Sequence, residues 1–361
     1  MQTSIVEIKP LVVKVSEKTD WTFVEVETSD GITGYGEATI FGQGDRISES
    51  IPSIAQSLIG KSESAIGSMV SETSQERERL PRAVVSAIEQ ANWDIRGKRD
   101  GKPVYDLLGG ATNKQIPLYA NINRRTTDRS VDGFAASARD AIEAGFNMIK
   151  IAPFDGLQPD MGSEGDDLFA TGMQRIEESC AAVGDDVQVM VDCHWRLNIS
   201  QAKELIREAA ALDLYWVECP FPEDPNDCYD LTLLRDLKDT LGVRLAGAEM
   251  GTNYEYFEKF VAAKVYDVIM PDVKYCGGIQ EMLRIAELAS ENDIGFSPHN
   301  PSGPVCHIAS LHVAAMLPNL LFLEHQFDES PLFMDLCPGS VPMIENGFSP
   351  LPGGDGFGFS L

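Results

Sequence analysis

The chain has 361 residues, with 29 Lys and Arg against 56 Asp and Glu, and its formal charge of −27 argues against nucleic acid and anionic membrane surfaces as partners. Its 43% hydrophobic and 24% charged residues are ordinary for a globular protein, and the length suits a barrel of about 200–250 residues plus a smaller unit. The opening MQTSIVEIKP lacks a basic-then-apolar signal pattern, no apolar run reaches membrane-span length, and seven cysteines include no CxxC pair. The expectation is a cytoplasmic protein with reduced thiols and no disulfide framework.

Residues 1–117 read as an α+β unit. Segments 4–15 and 21–28 are rich in Val, Ile, Thr and Trp, and Ser29-Asp30-Gly31 supplies a turn into a strand near 32–38. Helical patterns follow at 46–59 and 62–72. A stronger one from Arg82 to Arg99 repeats Val84, Ala87, Ala91 and Ile95 at helical spacing, and Gly109-Gly110 closes the unit.

From 116 onward strands and helices alternate. Strands are expected at 116–121, 146–151, 187–192, 214–219, 244–249, 266–271, 294–298 and 320–324, with amphipathic helices between them. Ser130, Ser200 and Asn253 are expected helix caps. Alternation of this kind implies a parallel sheet closed on itself, a (β/α)7β modified TIM barrel over 118–325. A Pro- and Gly-rich tail, 326–361, is expected to pack back on the N-terminal unit and complete an α+β capping domain. The acidic stretch 153–168 reads as a solvated loop.

Seven of the expected barrel strands finish on a polar residue: Lys150, Asp192, Glu218, Glu249, Asp272, His299 and Glu324. In a βα-barrel such positions converge on one site. Asp192, Glu218 and Glu249 follow the apolar runs VQVMV, LYWV and RLAGA. Three carboxylates buried side by side would repel, and a hard cation such as Mg2+ removes that cost, so these three are the expected metal ligands. Asp272 and His299 suit an acid–imidazole dyad in which the carboxylate fixes the tautomer of a general base. Lys150 is a candidate base or anchor for a substrate carboxylate. Glu324, if protonated, could donate to a developing oxyanion. His194 lies two residues after Asp192, on the same side if the backbone stays extended. Gly303 offers a generic phosphate site of the fold, with no other feature to support it.

These residues resemble the enolase superfamily, specifically its mandelate racemase-like branch, over nearly the whole chain. AIEQANWDIRGKRDGKPVYDLLGG (87–110) is similar to that family's cap helix and connector. VDCH, WVECP and GAEM resemble its three metal-ligand strands; MPDVKYCGGI and SPHNPSGP its dyad strands; FLEH the strand of its electrophilic glutamate. Aspartate at 272, where other branches place a lysine base, implies the His299 dyad, and Lys274 is given no catalytic role. The family's Lys-x-Lys is reduced here to Lys150-Ile151-Ala152, which weakens a two-base racemase. Asp192-Cys193-His194 resembles acid-sugar dehydratases of the galactonate, gluconate and mannonate type, in which the histidine is the general acid. The resemblance therefore implies a Mg2+-dependent hydro-lyase acting on a small carboxylate, an aldonate or aldarate, and a homo-oligomer. The alternative is a racemase or epimerase of an α-substituted carboxylate. Cap loops at Lys14–Trp21 and Phe41–Gly44 are expected to read the distal end of the substrate.

Overall fold

The computed structural model describes residues 3–17, 19–227 and 229–361, with only the backbone of Tyr229 and Asp230; Lys18, inside the first expected cap loop, lies outside the described residues. The chain opens with an antiparallel sheet of β1 (Ile5–Lys14), β2 (Asp20–Thr28) and β3 (Thr33–Glu37). Helices α1 (Gly44–Ala55), α2 (Ser64–Glu72) and α3 (Arg79–Asp100) follow, then the short α4 (Val104–Leu107). Strand β3 lies directly on α3. A Cβ at Gly36 would sit 1.9 Å from the carbonyl oxygen of Ala87, so only glycine permits this approach.

The second part alternates strands with helices: β4 (Gln115–Asn121), α5 (Val131–Glu143), β5 (Met148–Ile151), α6 (Ser163–Val183), β6 (Gln188–Asp192), α7 (Ile199–Ala211), β7 (Trp216–Glu218) and α8 (Tyr229–Leu241). It continues with β8 (Leu245–Gly247), α9 (Tyr254–Ala263), β9 (Val268–Ile269), α10 (Ile279–Glu291), β10 (Gly295–Phe296), α11 (Pro304–Met316) and β11 (Leu323–Gln326). Neighbours from β4 to β10 pair in parallel and in sequence, and β11 pairs with β4. The circle closes where Leu320, just before β11, bridges Phe296 of β10. This is a (β/α)7β barrel with an α+β cap.

Period-two alternation sorts the strand residues. Met148, Met190, Trp216, Ala246 and Val268 fill the barrel interior, while Ile149, Val191, Val217, Leu245 and Ile269 join the layer between sheet and helices. The same parity turns Lys150, Asp192 and Glu218 toward the axis at the C-terminal mouth. Strands β9 and β10 are shorter than their sequence segments because Pro271 and Pro298 have no N–H to continue the ladder. Asp272 and His299 therefore sit on irregular chain just past the strands.

Ser130 and Asn253 do cap their helices, accepting from Gly133 N and Tyr256 N. The cap of α7 is Asn198 rather than Ser200. Its side chain accepts from Ser200 N and Gln201 N, and Gln201 returns a bond to complete a capping box. The tail forms α12 (Leu332–Asp335) and β12 (Phe348–Pro350), the latter antiparallel to β4. Its end reaches the N-terminal sheet, where the Phe359 ring packs against Phe23 and Tyr35.

Buried carboxylates join the two parts. Glu37 accepts from Gly303 N and Cys306 N at the start of α11, and Glu89 accepts from Ile279 N and Gln280 N at the start of α10. Each lies at the positive end of a barrel helix. The bond to Glu37 also occupies the Gly303 N–H, the donor a phosphate there would need. Asp94 of α3 takes Tyr35 N and Phe357 N, and Arg82 donates to the carbonyls of Thr252 and Cys276. Burial raises the Glu89 carboxyl to about 7 against the pull of its donors.

Candidate active site

At the barrel mouth Asp192, Glu218 and Glu249 offer one oxygen each, all within 4.8 Å of one another, and all three residues are buried. Burial raises Glu218 to about 7, with Lys150 pulling the other way; Glu249 is pushed further by burial and by the charges of Asp192 and Glu218. Glu249 Oε2 is buried without a hydrogen-bond partner. His299 Nε2 lies 3.5 Å from it, too far for a good bond. Three dry carboxylates, one with an orphaned oxygen, form an oxygen-only donor set that fits a hard divalent cation.

The chain turns sharply at each of these carboxylates. His194, Trp195, Cys219 and Ala248 all have left-handed backbones, with φ of 47°, 58°, 43° and 69°. Such residues cost about 1–3 kcal/mol each unless their surroundings hold them. His194 is consequently not on extended backbone, as its spacing from Asp192 had suggested. The chain folds back instead, placing His194 Nε2 2.8 Å from Asp192 Oδ2 and donating His194 N to Oδ1. The His194 side chain stays 34% exposed, open to the mouth. Burial lowers its pKa, but the Asp192 charge prevails and the net shift is upward.

Lys150 is buried, and its ammonium lies 2.7 Å from Glu218 Oε1 and 2.9 Å from Glu324 Oε1. Glu324 also accepts from Asn121 Nδ2 at 2.6 Å and Asn300 N at 2.7 Å. Burial favours its neutral form, but Lys150 leads the opposing effects and the carboxyl falls below its ordinary range. Three converging donors thus hold Glu324 ionised here, whereas a donating role requires the proton.

His299 Nδ1 is 2.8 Å from Asp272 Oδ2, leaving Nε2 facing the carboxylate cluster. Burial lowers the imidazole pKa, with Asp272 opposing, so the ring is neutral near pH 7. The Lys274 ammonium meets the same Asp272 oxygen, and Lys274 N donates to the other. Lys274 holds the dyad carboxylate ionised, a role the sequence reading had not given it. Asn121 was also missed. Its signal was present: it ends the first barrel strand on the same parity as the buried Tyr119.

Comparison with known proteins agrees with this architecture. A model described as the mandelate racemase/muconate lactonizing enzyme N-terminal domain matches residues 3–109, and an enolase C-terminal domain-like model matches 133–361. The chain belongs to the mandelate racemase/muconate lactonizing enzyme family of the enolase superfamily. A D-galactonate dehydratase of Xanthomonas campestris pv. campestris is 29% identical over 308 residues, covering 84% of this chain and 78% of that one. A D-gluconate dehydratase of Thermoproteus tenax is 27% identical, covering 99% of this chain and 72% of its own. The crystal structure of a mandelate racemase/muconate lactonizing enzyme-like protein from Roseovarius sp. TM1035 superposes with a TM-score of 0.86 at 25% identity, over 99% of this chain and 93% of that one. Among the described residues of this chain, no helix is long and apolar enough to cross a membrane.

Proposed function

We propose that this protein is a Mg2+-dependent hydro-lyase that removes water from an acid sugar, an aldonate or aldarate, to give a 2-keto-3-deoxy acid. The observation that carries the reading is a pair of imidazoles beside the carboxylate cluster, His299 held through Nδ1 by Asp272 and His194 held through Nε2 by Asp192. His299 follows β10 and His194 follows β6, four places apart in a ring of eight strands, so the two segments enter the mouth from opposite sides of the ring. The dehydratase names of the relatives support the same reaction class.

Asp192, Glu218 and Glu249 would hold the cation, which when bound supplies positive charge against the substrate carboxylate and acidifies the adjacent C–H. Lys150 holds that carboxylate from the neighbouring strand. As its ammonium turns to the substrate, Glu324 loses its main counter-charge, its pKa rises, it takes a proton from solvent before the site closes on the substrate, and the protonated carboxyl donates to the developing oxyanion. His299 takes the α-proton on Nε2, while its Nδ1–H donates to Asp272 and so leaves Nε2 the unprotonated acceptor. His194, whose pKa the Asp192 charge raises, gives its proton to the departing β-hydroxyl. Tautomerisation of the enol product completes the reaction.

Racemisation needs a second base on the other face of the substrate. Two residues beyond Lys150 the chain has the buried Ala152, so that strand offers none. The test is a screen of aldonates and aldarates with Mg2+, in which semicarbazide detects 2-keto-3-deoxy products. Substrate exchange at C2 without any keto product would move the assignment to a racemase or epimerase.

A further inference from the structure

Glu223 lies five residues beyond Glu218, in the loop after β7, and nothing in the proposed chemistry uses it. Its carboxylate nevertheless gathers donors from both neighbouring strand ends. Oε1 accepts from Ala248 N at 2.8 Å, from the Tyr266 hydroxyl and, more weakly, from Cys219 Sγ at 3.7 Å; Oε2 accepts from the Tyr256 hydroxyl at 3.2 Å. Cys219 directly follows one expected metal ligand and Ala248 directly precedes another. Both are left-handed, the conformation that ends β7 and β8 and turns the chain at the mouth.

A second observation shows that the site is built around this carboxylate. Strand β8 ends on Gly247, and a Cβ there would lie 2.4 Å from Tyr266 Cζ and 2.6 Å from Glu223 Oε1. Glycine at 247 leaves the space that lets Glu223 and Tyr266 close on the backbone. The Ala248 N–H, left without a ladder partner by its positive φ, is satisfied by Glu223 instead. We propose that Glu223 is a positioning residue for the metal site: by binding the Ala248 N–H it holds that residue in left-handed backbone, and with its contact to the Cys219 thiol it fixes the directions in which Glu249 and Glu218 present their oxygens to a divalent cation.

The inference rests on the metal reading above, and one titration separates the two. Mg2+ binding to the full chain is measured by calorimetry for wild type, Glu223→Ala, Glu223→Gln and Glu223→Asp, with Mn2+ as an electron-resonance probe of ligand geometry. Outer-shell partners of metal ligands typically contribute about 10–100-fold in affinity. Glu223→Ala should therefore weaken Mg2+ binding by about that factor and broaden the Mn2+ spectrum. Glu223→Gln keeps an acceptor for Ala248 N and should restore affinity to within about threefold of wild type. A merely structural role would lower the melting temperature of Glu223→Ala without moving Mg2+ affinity, and that result would overturn the proposal. If Glu223→Ala does not fold, Glu223→Asp, whose shorter side chain withdraws from Ala248, decides in the same way: unchanged affinity overturns it. Wild type that binds no Mg2+ would sink the metal reading and this inference with it, whereas wild-type binding with indifferent variants sinks the inference alone.

Discussion

Asn300, the residue after His299, donates its backbone N–H to Glu324 Oε2 at 2.7 Å. The imidazole and the carboxyl on adjacent strands are thus fixed by one peptide, and a shift in either loop moves both. Asn121 secures the other Glu324 oxygen from the strand on the far side. Asn121→Ala should reduce kcat by about 10–100-fold, the order of one hydrogen bond to a charged group, while leaving Mg2+ affinity unchanged. Steady-state kinetics with a metal titration checks both halves.

His299→Asn removes the proton acceptor but no carboxylate of the metal cluster. Turnover should fall by about 10²–10⁴-fold, the usual contribution of a positioned general base, with Mg2+ binding within about threefold of wild type. Normal turnover in this variant would mean that another group takes the proton.

Glu218→Gln deletes one charge from the cluster and frees Lys150 from one of its two partners. Its Mg2+ affinity in calorimetry should drop by at least about tenfold. An unchanged isotherm would show that the cation, if bound, sits elsewhere.

Acid stability offers a measurement away from the site. His312 and His325 are buried, and burial lowers their pKa values from 6.5 to about 3 and about 4. The unfolded chain binds their protons first, so stability is fully present above about pH 6.5 and is lost as pH falls toward these folded values. At pH 5 each should cost about 2 kcal/mol. His312→Asn keeps an acceptor for Tyr105 N but cannot ionise, so it should lose about 2 kcal/mol less than wild type between pH 7 and pH 5 in urea unfolding. Parallel curves would contradict this.

The alternation of apolar runs and polar strand ends was enough to fix the barrel, because parity along each strand dictates which residues face the axis. Lys150, Asp192 and Glu218 follow that rule directly. The rule runs out where the strands do. Glu249, Asp272 and His299 lie beyond a left-handed alanine and beyond two prolines, and periodicity says nothing about where such turns aim a side chain. Helix caps were legible to the residue at Ser130 and Asn253 but not before α7, where Asn198 and Ser200 compete for the same role.

By itself, then, the sequence determined the order of elements, the inward parity of the strands and the identity of the groups able to hold a cation or move a proton. Those are properties of local spacing and side-chain chemistry. Only the tertiary structure decided that Lys150 is shared between two carboxylates, that Lys274 supports Asp272, that Asn121 and Asn300 fix Glu324, and that Glu223 binds the turns beside two ligands. These contacts join residues whose charges and protonation states depend on distances of a few ångströms, and such distances exist only once the ring of strands has closed.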